Sequence, residues 1–419
     1  MKYGLIGEKL SHSFSKEIHE QLAPYSYELC EIPRSELPSF LLKRDFCAIN
    51  VTIPYKKEVI PFLDSISDAA KELDSVNAIV NRNGKLYGYN TDYIGLKEEI
   101  LRTKYDLSGK KVLVLGTGGA SRTAFLVAKH LGANEVIFVS REPKENAITY
   151  PNAYKNHSDA DVIINGTPIG MYPNSNQAPL DISKFPSLSA VFDAVYNPIR
   201  TKIVLDAQKR GLVAEGGLYM LVSQAVSAIE LFIDTKIPPQ KTEEVYQSIY
   251  DSKQNIVLIG MPSSGKTTIG SILAEKMSRV IVDLDDEIVA KLGCSIAEFF
   301  KSHTEKEFRD IETEVTIEIS KRNGIVIATG GGCILREENV NALRSNGRLY
   351  FLDRSLDNLI PTDSRPLASK KSDIEALYKA RYDIYKSASD VKIDGNLSPT
   401  EEANQILEEF YITNENIDH

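Results

Sequence analysis

Short continuous apolar runs alternate along this chain with stretches of helical spacing. "YGLIG" leads into "SFSKEIHEQL", then "FCAINVTIP", then a helix rich in Asp, Ala, Lys and Glu. Further on, "KKVLVLG", "EVIFVSR", "DVIINGT" and "AVFDAVY" are strand-length runs, the first two separated by the helical "GASRTAFLVAKHLG". Runs without polar alternation predict strands buried on both faces, and helices between them predict parallel sheets covered on both sides. Residues 219–233, "YMLVSQAVSAIELFI", form an apolar helix. The Pro-Pro pair in "KIPPQKTEEVYQSIYD" ends it and a second helix starts beyond. A third α/β unit begins at residue 256, and the chain has no internal repeat.

These patterns divide 419 residues, too many for one core, into units. An α/β domain is expected over 1–100, completed by a helix at about 236–250. A second α/β domain is expected over 101–235. A polar linker, "DSKQN", covers 251–255, a third α/β domain 256–411, and a tail 412–419.

Composition narrows the classes. Hydrophobic residues at 42% and charged residues at 26% are ordinary for a globular protein. A net charge of −9 argues against a nucleic-acid partner. No apolar run approaches the ~18 residues that span a membrane. The four cysteines, Cys30, Cys47, Cys294 and Cys333, are scattered, which suits small buried hydrophobes in a reducing cytoplasm. A cytoplasmic protein is expected.

Two glycine loops carry the chemistry. "LGTGGA" places Gly116, Gly118 and Gly119 between a strand and a helix, with Ser121 at the third glycine position of the usual dinucleotide fingerprint. Glycines there allow the tight turn and close approach to a pyrophosphate, while the helix end supplies amides and a positive dipole. A plain turn is the bland alternative. Arg141 ends the next strand, where an NAD site places an acid, and suits the 2′-phosphate of NADP; Glu142 beside it could instead hold a ribose hydroxyl. "GMPSSGKT" then fits G-x-x-x-x-G-K-T, with Gly260, Gly265, Lys266 and Thr267 between a strand and a helix. This pattern cradles nucleotide phosphates and brings a lysine and a metal-ligating hydroxyl to them.

The segments around the first loop, "SHSFSKEIH", "NVTIPYK", "DSVNAIV", "GYNTD", "NGTPIGM", "FDAVYNP" and "GGLYMLVSQA", resemble shikimate dehydrogenase in order and spacing over about 1–250. Taken alone, Ser13 and Ser15 would be read as a helix cap, Lys56 as solvated surface and Asp92 as a turn residue. The resemblance implies that Lys56 and Asp92 form a catalytic pair. It implies that Ser13, Ser15, Thr52, Asn77, Asp92, Tyr196 and Gln224 hold the substrate. It also implies that Gly116, Gly118, Gly119, Ala120, Ser140, Arg141, Gly217 and Met220 meet NADP(H). Lys16 departs from the family's proline after the second serine.

Around the second loop, "VDLDDEI", "EKEFRDIE", "IVIATGGGC", "DSRPL" and "ARYDIY" resemble shikimate kinase over about 255–411. Asp283 and Asp285 are read as lying on one side of a strand end. Arg309 and Glu312, three apart on a helix, could equally be a surface ion pair. The resemblance implies that Asp285, Arg309, Gly331, Gly332 and Arg381 bind shikimate. Gly260, Ser264, Gly265, Lys266, Thr267, Thr268 and the lid residue Arg365 would bind ATP, and Thr267 and Asp283 would face Mg2+. Lys266, Asp285 and Arg365 are the expected catalytic residues. Ser263 stands at a family glycine position, and "SLDNLIPTDS" lacks the arginine usual before the lid.

The expected architecture is α/β throughout. It is a two-domain dehydrogenase, with an α/β substrate domain and a Rossmann NADP domain, followed by a P-loop domain of the nucleoside-monophosphate-kinase type. The expected function is bifunctional: NADPH-dependent reduction of 3-dehydroshikimate to shikimate, then ATP-Mg-dependent phosphorylation of shikimate. The alternative is an active dehydrogenase joined to a nucleotide-binding regulatory or weakly active kinase-like domain. Quinate is a lesser alternative substrate for the first part. No nucleic-acid or membrane partner is expected, and the sequence does not fix an oligomeric state.

Overall fold

The computed structural model describes residues 1–10, 14–360 and 370–415. The chain divides into two compact units. The first comprises Met1–Met171, Gln177–Asn197 and Ile203–Ile249. The second comprises Tyr250–His419 with two short segments, Tyr172–Asn176 and Pro198–Lys202.

The first unit holds two six-stranded sheets. One runs in the order Glu28–Glu31, Tyr3–Gly7, Ala48–Val51, Ala78–Arg82, Lys85–Tyr89, Ser65–Ile66. Its first three strands are parallel, and Ala78–Arg82 pairs antiparallel on both sides. The hairpin between Ala78–Arg82 and Lys85–Tyr89 turns on Asn83 and Gly84 with φ of 54° and 81°, the left-handed pair that a tight hairpin favours.

The second sheet runs Val213–Gly216, Ala190–Asp193, Val162–Asn165, Lys111–Leu115, Glu135–Ser140, Ala147–Thr149, all parallel. Strand order reverses between Lys111–Leu115 and Val162–Asn165, so a crevice opens at their carboxyl ends. Alternation along these strands builds both faces: Leu113, Leu115, Ile163 and Val191 enter one core, Val112, Val114, Ile164 and Phe192 the other. This is the expected Rossmann arrangement.

The apolar helix Leu218–Ile233 does not belong to that sheet alone. Its Met220 joins the core beside Val112 and Val114, but its Ala228 and Phe232 pack with Leu5, Tyr27, Ala48, Ala78 and Val80 of the first sheet. Where it touches helix Asp92–Arg102, a Cβ on Gly95 would stand 2.5 Å from the Met220 carbonyl oxygen. Only glycine lets the two helices approach this closely.

The second unit is one parallel sheet in the order Ile281–Asp283, Val326–Ala328, Asn255–Ile259, Gly347–Asp353, Val391–Asp394. Asn255–Ile259 is central and wholly buried. The expected linker at 251–255 is not one. Helix Pro239–Lys253 runs through its first three residues and Asn255 opens the strand. "DSKQN" is polar but contains no Pro or Gly to stop a helix. For the same reason helix Pro399–Glu415 extends into the expected tail. Among the cysteines only Cys333 is buried, and all four are free. Among the described residues no helix is long and apolar enough to cross a membrane.

Candidate functional site

In the first unit, Lys56 follows the strand Ala48–Val51, and Asp92 is the first residue of helix Asp92–Arg102. Lys56 Nζ donates to Asp92 Oδ2 at 2.6 Å, the two side chains being 30% and 19% exposed. A carboxylate at a helix N-terminus is stabilised by the helix dipole. Asp92's other oxygen is also fixed, since Asn77 Nδ2 donates to Oδ1 at 2.9 Å. Asn77 Oδ1 in turn accepts from the Thr91 amide at 2.7 Å. Thr91 Oγ1 donates to Gln224 Oε1 at 3.3 Å, which brings helix Leu218–Ile233 into the cluster.

The structure therefore gathers Lys56, Asn77, Asp92 and Gln224. It adds Thr91, which the sequence reading passed over because a lone threonine carries no signal. Thr52 sits at the end of the strand Ala48–Val51, its amide donating to the Ile6 carbonyl. Tyr196 packs edge-on to Phe14 at 5.4 Å, next to buried Ser15, and burial raises its phenol pKa. Ser13 lies outside the described residues.

At the crevice of the second sheet, Gly116 has φ 92°, and a Cβ there would meet Ser121 Oγ at 2.7 Å and Thr167 Cγ2 at 2.8 Å. Ser121, at the missing third glycine, is fully buried and donates to the Leu115 carbonyl at 3.0 Å, so it stitches helix to strand. A Cβ on Gly118 or Gly119 would meet nothing within 4 Å, which leaves bare backbone at the start of helix Gly119–His130. Gly118 caps that helix without a side-chain hydrogen bond, and an uncapped helix N-terminus offers amides and a positive dipole end to an anion. Ala120 is the helix's second residue. Ser140 ends the next strand buried, with Arg141 and Glu142 exposed after it. Lys144, not singled out from the sequence, reaches back to the loop and donates to Thr117 Oγ1 at 2.7 Å. The cationic side of this loop suits a phosphorylated dinucleotide.

In the second unit the loop after Asn255–Ile259 carries left-handed backbone at Ser263 and Gly265, φ 65° and 92°. Lys266 is buried and its Nζ donates to the carbonyls of Gly260 and Met261 at 2.9 Å each. Ser264 is fully buried; Thr267 and Thr268 lie in the first turn of helix Lys266–Met277. Thr267 Oγ1 donates to Asp283 Oδ2 at 2.7 Å, so the two expected Mg2+-facing residues meet. Among the described residues no cluster of three or more His, Cys, Asp or Glu could hold a metal alone.

Asp285 is not on the strand, as expected, but in the first turn of helix Leu284–Leu292; Asp283 caps this helix and accepts from the Asp285 amide at 3.0 Å. The cap ends the strand early. Asp285 lines a cavity of about 410 Å³ with Arg309, Glu312, Gly330, Gly331 and Arg381. Arg309 and Glu312 are no surface pair. They are buried, with Arg309 Nη1 donating to Glu312 Oε2 at 2.8 Å, and burial pushes the Glu312 carboxyl pKa up against the pull of Arg309. A Cβ on Gly330 would stand 2.5 Å from Asp285 Oδ1, and one on Gly332 would collide with the Arg309 guanidinium. The glycine run is what lets these charged groups close over the turn. Arg381 Nη1 and Tyr385 OH both donate to the Gly331 carbonyl, the former at 3.0 Å. Arg365 lies outside the described residues.

Comparison with known proteins bears on the family of each part of the chain. The family model for the shikimate dehydrogenase substrate binding domain matches residues 5–79, and that for shikimate kinase matches 262–411. A shikimate dehydrogenase (NADP(+)) of Clostridium perfringens is 35% identical over 266 residues, covering 59% of this chain and 97% of that protein. One from Caldicellulosiruptor bescii is 33% identical over 56% of this chain and 89% of its own. A solved chorismate mutase/shikimate 5-dehydrogenase fusion from Clostridium acetobutylicum is 35% identical over 59% of this chain and 96% of that one, with TM-score 0.56. Shikimate 5-dehydrogenase from Thermus thermophilus, solved with NADP(H) and shikimate, is 28% identical over 59% and 99%, with TM-score 0.54. The chain belongs to the shikimate dehydrogenase family and carries, behind that part, a domain of the shikimate kinase family.

Proposed function

We propose that the first unit reduces 3-dehydroshikimate to shikimate with NADPH and that the second phosphorylates shikimate on its 3-hydroxyl with ATP and Mg2+. The observation that carries the reading is the Lys56–Asp92 contact inside the Asn77–Thr91–Gln224 network. Ketone reduction needs a proton donor held at the carbonyl oxygen, and Lys56 Nζ is an ammonium fixed by one carboxylate oxygen of Asp92. Asn77 keeps that carboxylate from turning away. Ser13, Ser15, Thr52, Tyr196 and Gln224 would hold the ring's carboxylate and hydroxyls. NADPH, when bound, supplies the hydride; the Gly116–Ala120 turn, Ser140 and Arg141 would hold its phosphates, with Gly217 and Met220 beside the nicotinamide.

For the second reaction, the 410 Å³ cavity suits a small polar ligand. Arg309 and Arg381 would take its carboxylate through planar, bidentate donors. Asp285 would accept from the hydroxyl that receives the phosphoryl group. Lys266, with Gly260, Ser264, Gly265 and Thr268, would hold the triphosphate, and Thr267 with Asp283 its Mg2+. Arg365 would offset charge on the transferring group. Phosphoryl transfer depends on such positioning and charge more than on a strong base.

The test measures each reaction alone on the purified chain: NADPH oxidation with 3-dehydroshikimate, and shikimate-dependent ADP release from ATP. Both are expected. No ADP release on adding shikimate would reduce the second unit to a nucleotide-binding module, and ADP release that ignored shikimate would make it an ATP hydrolase and not a shikimate kinase.

A further inference from the structure

One carboxyl group in the first unit has no part in the chemistry above, yet it stands against its machinery. Glu99 lies seven residues beyond Asp92 on helix Asp92–Arg102, so it shares that residue's face of the helix. It is 1% exposed. Its Oε2 accepts from the Met220 amide at 3.0 Å, and its Oε1 has no hydrogen-bond partner among the described residues.

Met220 is the third residue of helix Leu218–Ile233, whose cap, Gly217, offers no side-chain hydrogen bond. Glu99 thus does from a neighbouring helix what a capping side chain does locally. Both sides of Met220 are fixed by helix Asp92–Arg102. Its amide is held by Glu99, and its carbonyl oxygen lies 2.5 Å from where a Gly95 Cβ would be. Gly217 is held as well: its amide donates to the Val195 carbonyl at 3.0 Å, and its backbone lies so close to Ala194 that an added Cβ would stand 2.5 Å from the Ala194 carbonyl oxygen.

The charges around Glu99 come from every side. Asp193 is buried, with Oδ1 accepting from Asn165 Nδ2 and the Val195 amide. Glu215 lies 3.8 Å from Arg102. Arg102 itself donates to both carboxylate oxygens of Glu243, at 2.8 and 3.2 Å, beneath the rings of Tyr219 and Tyr246. Arg102 is thus paired with Glu243 and Glu215, and the like charges of Glu215 and Asp193 act on Glu99 against the pull of Arg102. A buried carboxylate with one bare oxygen would be costly, and an uncharged carboxyl is far less so. Burial, reinforced by Glu215, raises the Glu99 pKa well above the usual carboxylate range.

We propose that Glu99 is a positioning residue for the reduction: an uncharged carboxyl that accepts from the Met220 amide and so fixes the Gly217–Met220 turn against the helix that presents Asp92. The proposal rests on the reading that this turn borders the nicotinamide. Misplacing a reacting partner by an ångström can cost about a hundredfold in rate.

The test compares E99Q, which keeps an uncharged acceptor of the same shape, with E99M, which removes it. For E99Q, kcat, its pH profile and the KM for NADPH should stay within about threefold of wild type. For E99M, kcat should fall about tenfold to a hundredfold while the KM for 3-dehydroshikimate holds and kinase turnover is unchanged. Loss in E99Q equal to that in E99M would overturn the uncharged state. Should E99M fail to fold, E99D, which withdraws the carboxyl by one methylene, reads the same quantities: a lowered kcat at constant substrate KM supports the role, and an unchanged kcat overturns it. A wild-type chain without NADPH-linked reduction would sink the dehydrogenase reading itself. An active wild type matched by E99M would sink only the role of Glu99.

Discussion

Lys56 Nζ and Asp92 Oδ2 stand 2.6 Å apart although 36 residues separate them in the chain. Each is fixed from behind: the Lys56 carbonyl accepts from the Val76 amide, and Asp92 from Asn77. Removing the ammonium leaves the binding network intact and takes away only the proton donor. Lys56→Met is expected to lower kcat for reduction by about 10²- to 10⁴-fold with kinase turnover unchanged. Asp92→Asn should cost less, because the lysine stays. Steady-state kinetics of both reactions on each variant decide this; equal loss of both activities in folded protein would contradict it.

Ser263 occupies φ 65° in the nucleotide loop of the second unit. A side chain in that region costs about 1–2 kcal/mol, which glycine avoids while giving up about 0.4–1 kcal/mol to its freer unfolded state. Ser263→Gly should therefore leave stability within about 1 kcal/mol of wild type and preserve the KM for ATP. Ser263→Val, branched at Cβ, should destabilise the unit and raise that KM. Thermal unfolding and ATP titration would show it; a tolerated valine would mean the loop can relax.

Arg309 and Glu312 are buried together at the cavity. Glu312→Ala leaves a buried guanidinium with its main partner gone and should cost about 3–5 kcal/mol. Adding Arg309→Met should restore much of the stability but not shikimate-dependent turnover. Loss of kinase activity with denaturant reads the stability; no rescue in the double variant would contradict the pairing.

Stability of the first unit should depend on pH through Glu215. Burial, opposed by Arg102, pushes its pKa up to about 7, against about 4.3 in an unfolded chain. Between those values the folded state keeps a proton that the unfolded chain has released. The contribution is full below the unfolded value and lost as pH rises through about 7. Glu215→Gln should flatten this slope by roughly 1–3 kcal/mol over that window. Unfolding midpoints across pH would test it, and an unaltered slope would refute it.

The glycine loops and the strand pattern were legible because short apolar runs and phosphate loops are local features. Lys56, Asp92, Asn77 and Gln224 were legible only through resemblance, since no spacing rule joins residues 15 to 168 apart. What escaped was tertiary. Helix Leu218–Ile233 reads as a uniform apolar stretch, and nothing local shows that its two ends enter different cores or that Gly95 lets it approach helix Asp92–Arg102. Glu99 looks like any surface glutamate until the Met220 amide stands against it. The Arg309–Glu312 spacing fits a solvated pair as well as a buried one, and only the packing decides. The supposed linker misled because polarity without a breaker does not end a helix.

The central claim is that one chain performs two successive conversions of the same ring. The direct measurement incubates purified protein with 3-dehydroshikimate, NADPH and ATP-Mg and determines the product by mass. The account predicts the starting mass increased by two hydrogens and one phosphoryl group, with one NADPH oxidised and one ADP formed per product. A reaction that stops at the two added hydrogens, with ATP untouched, would contradict it.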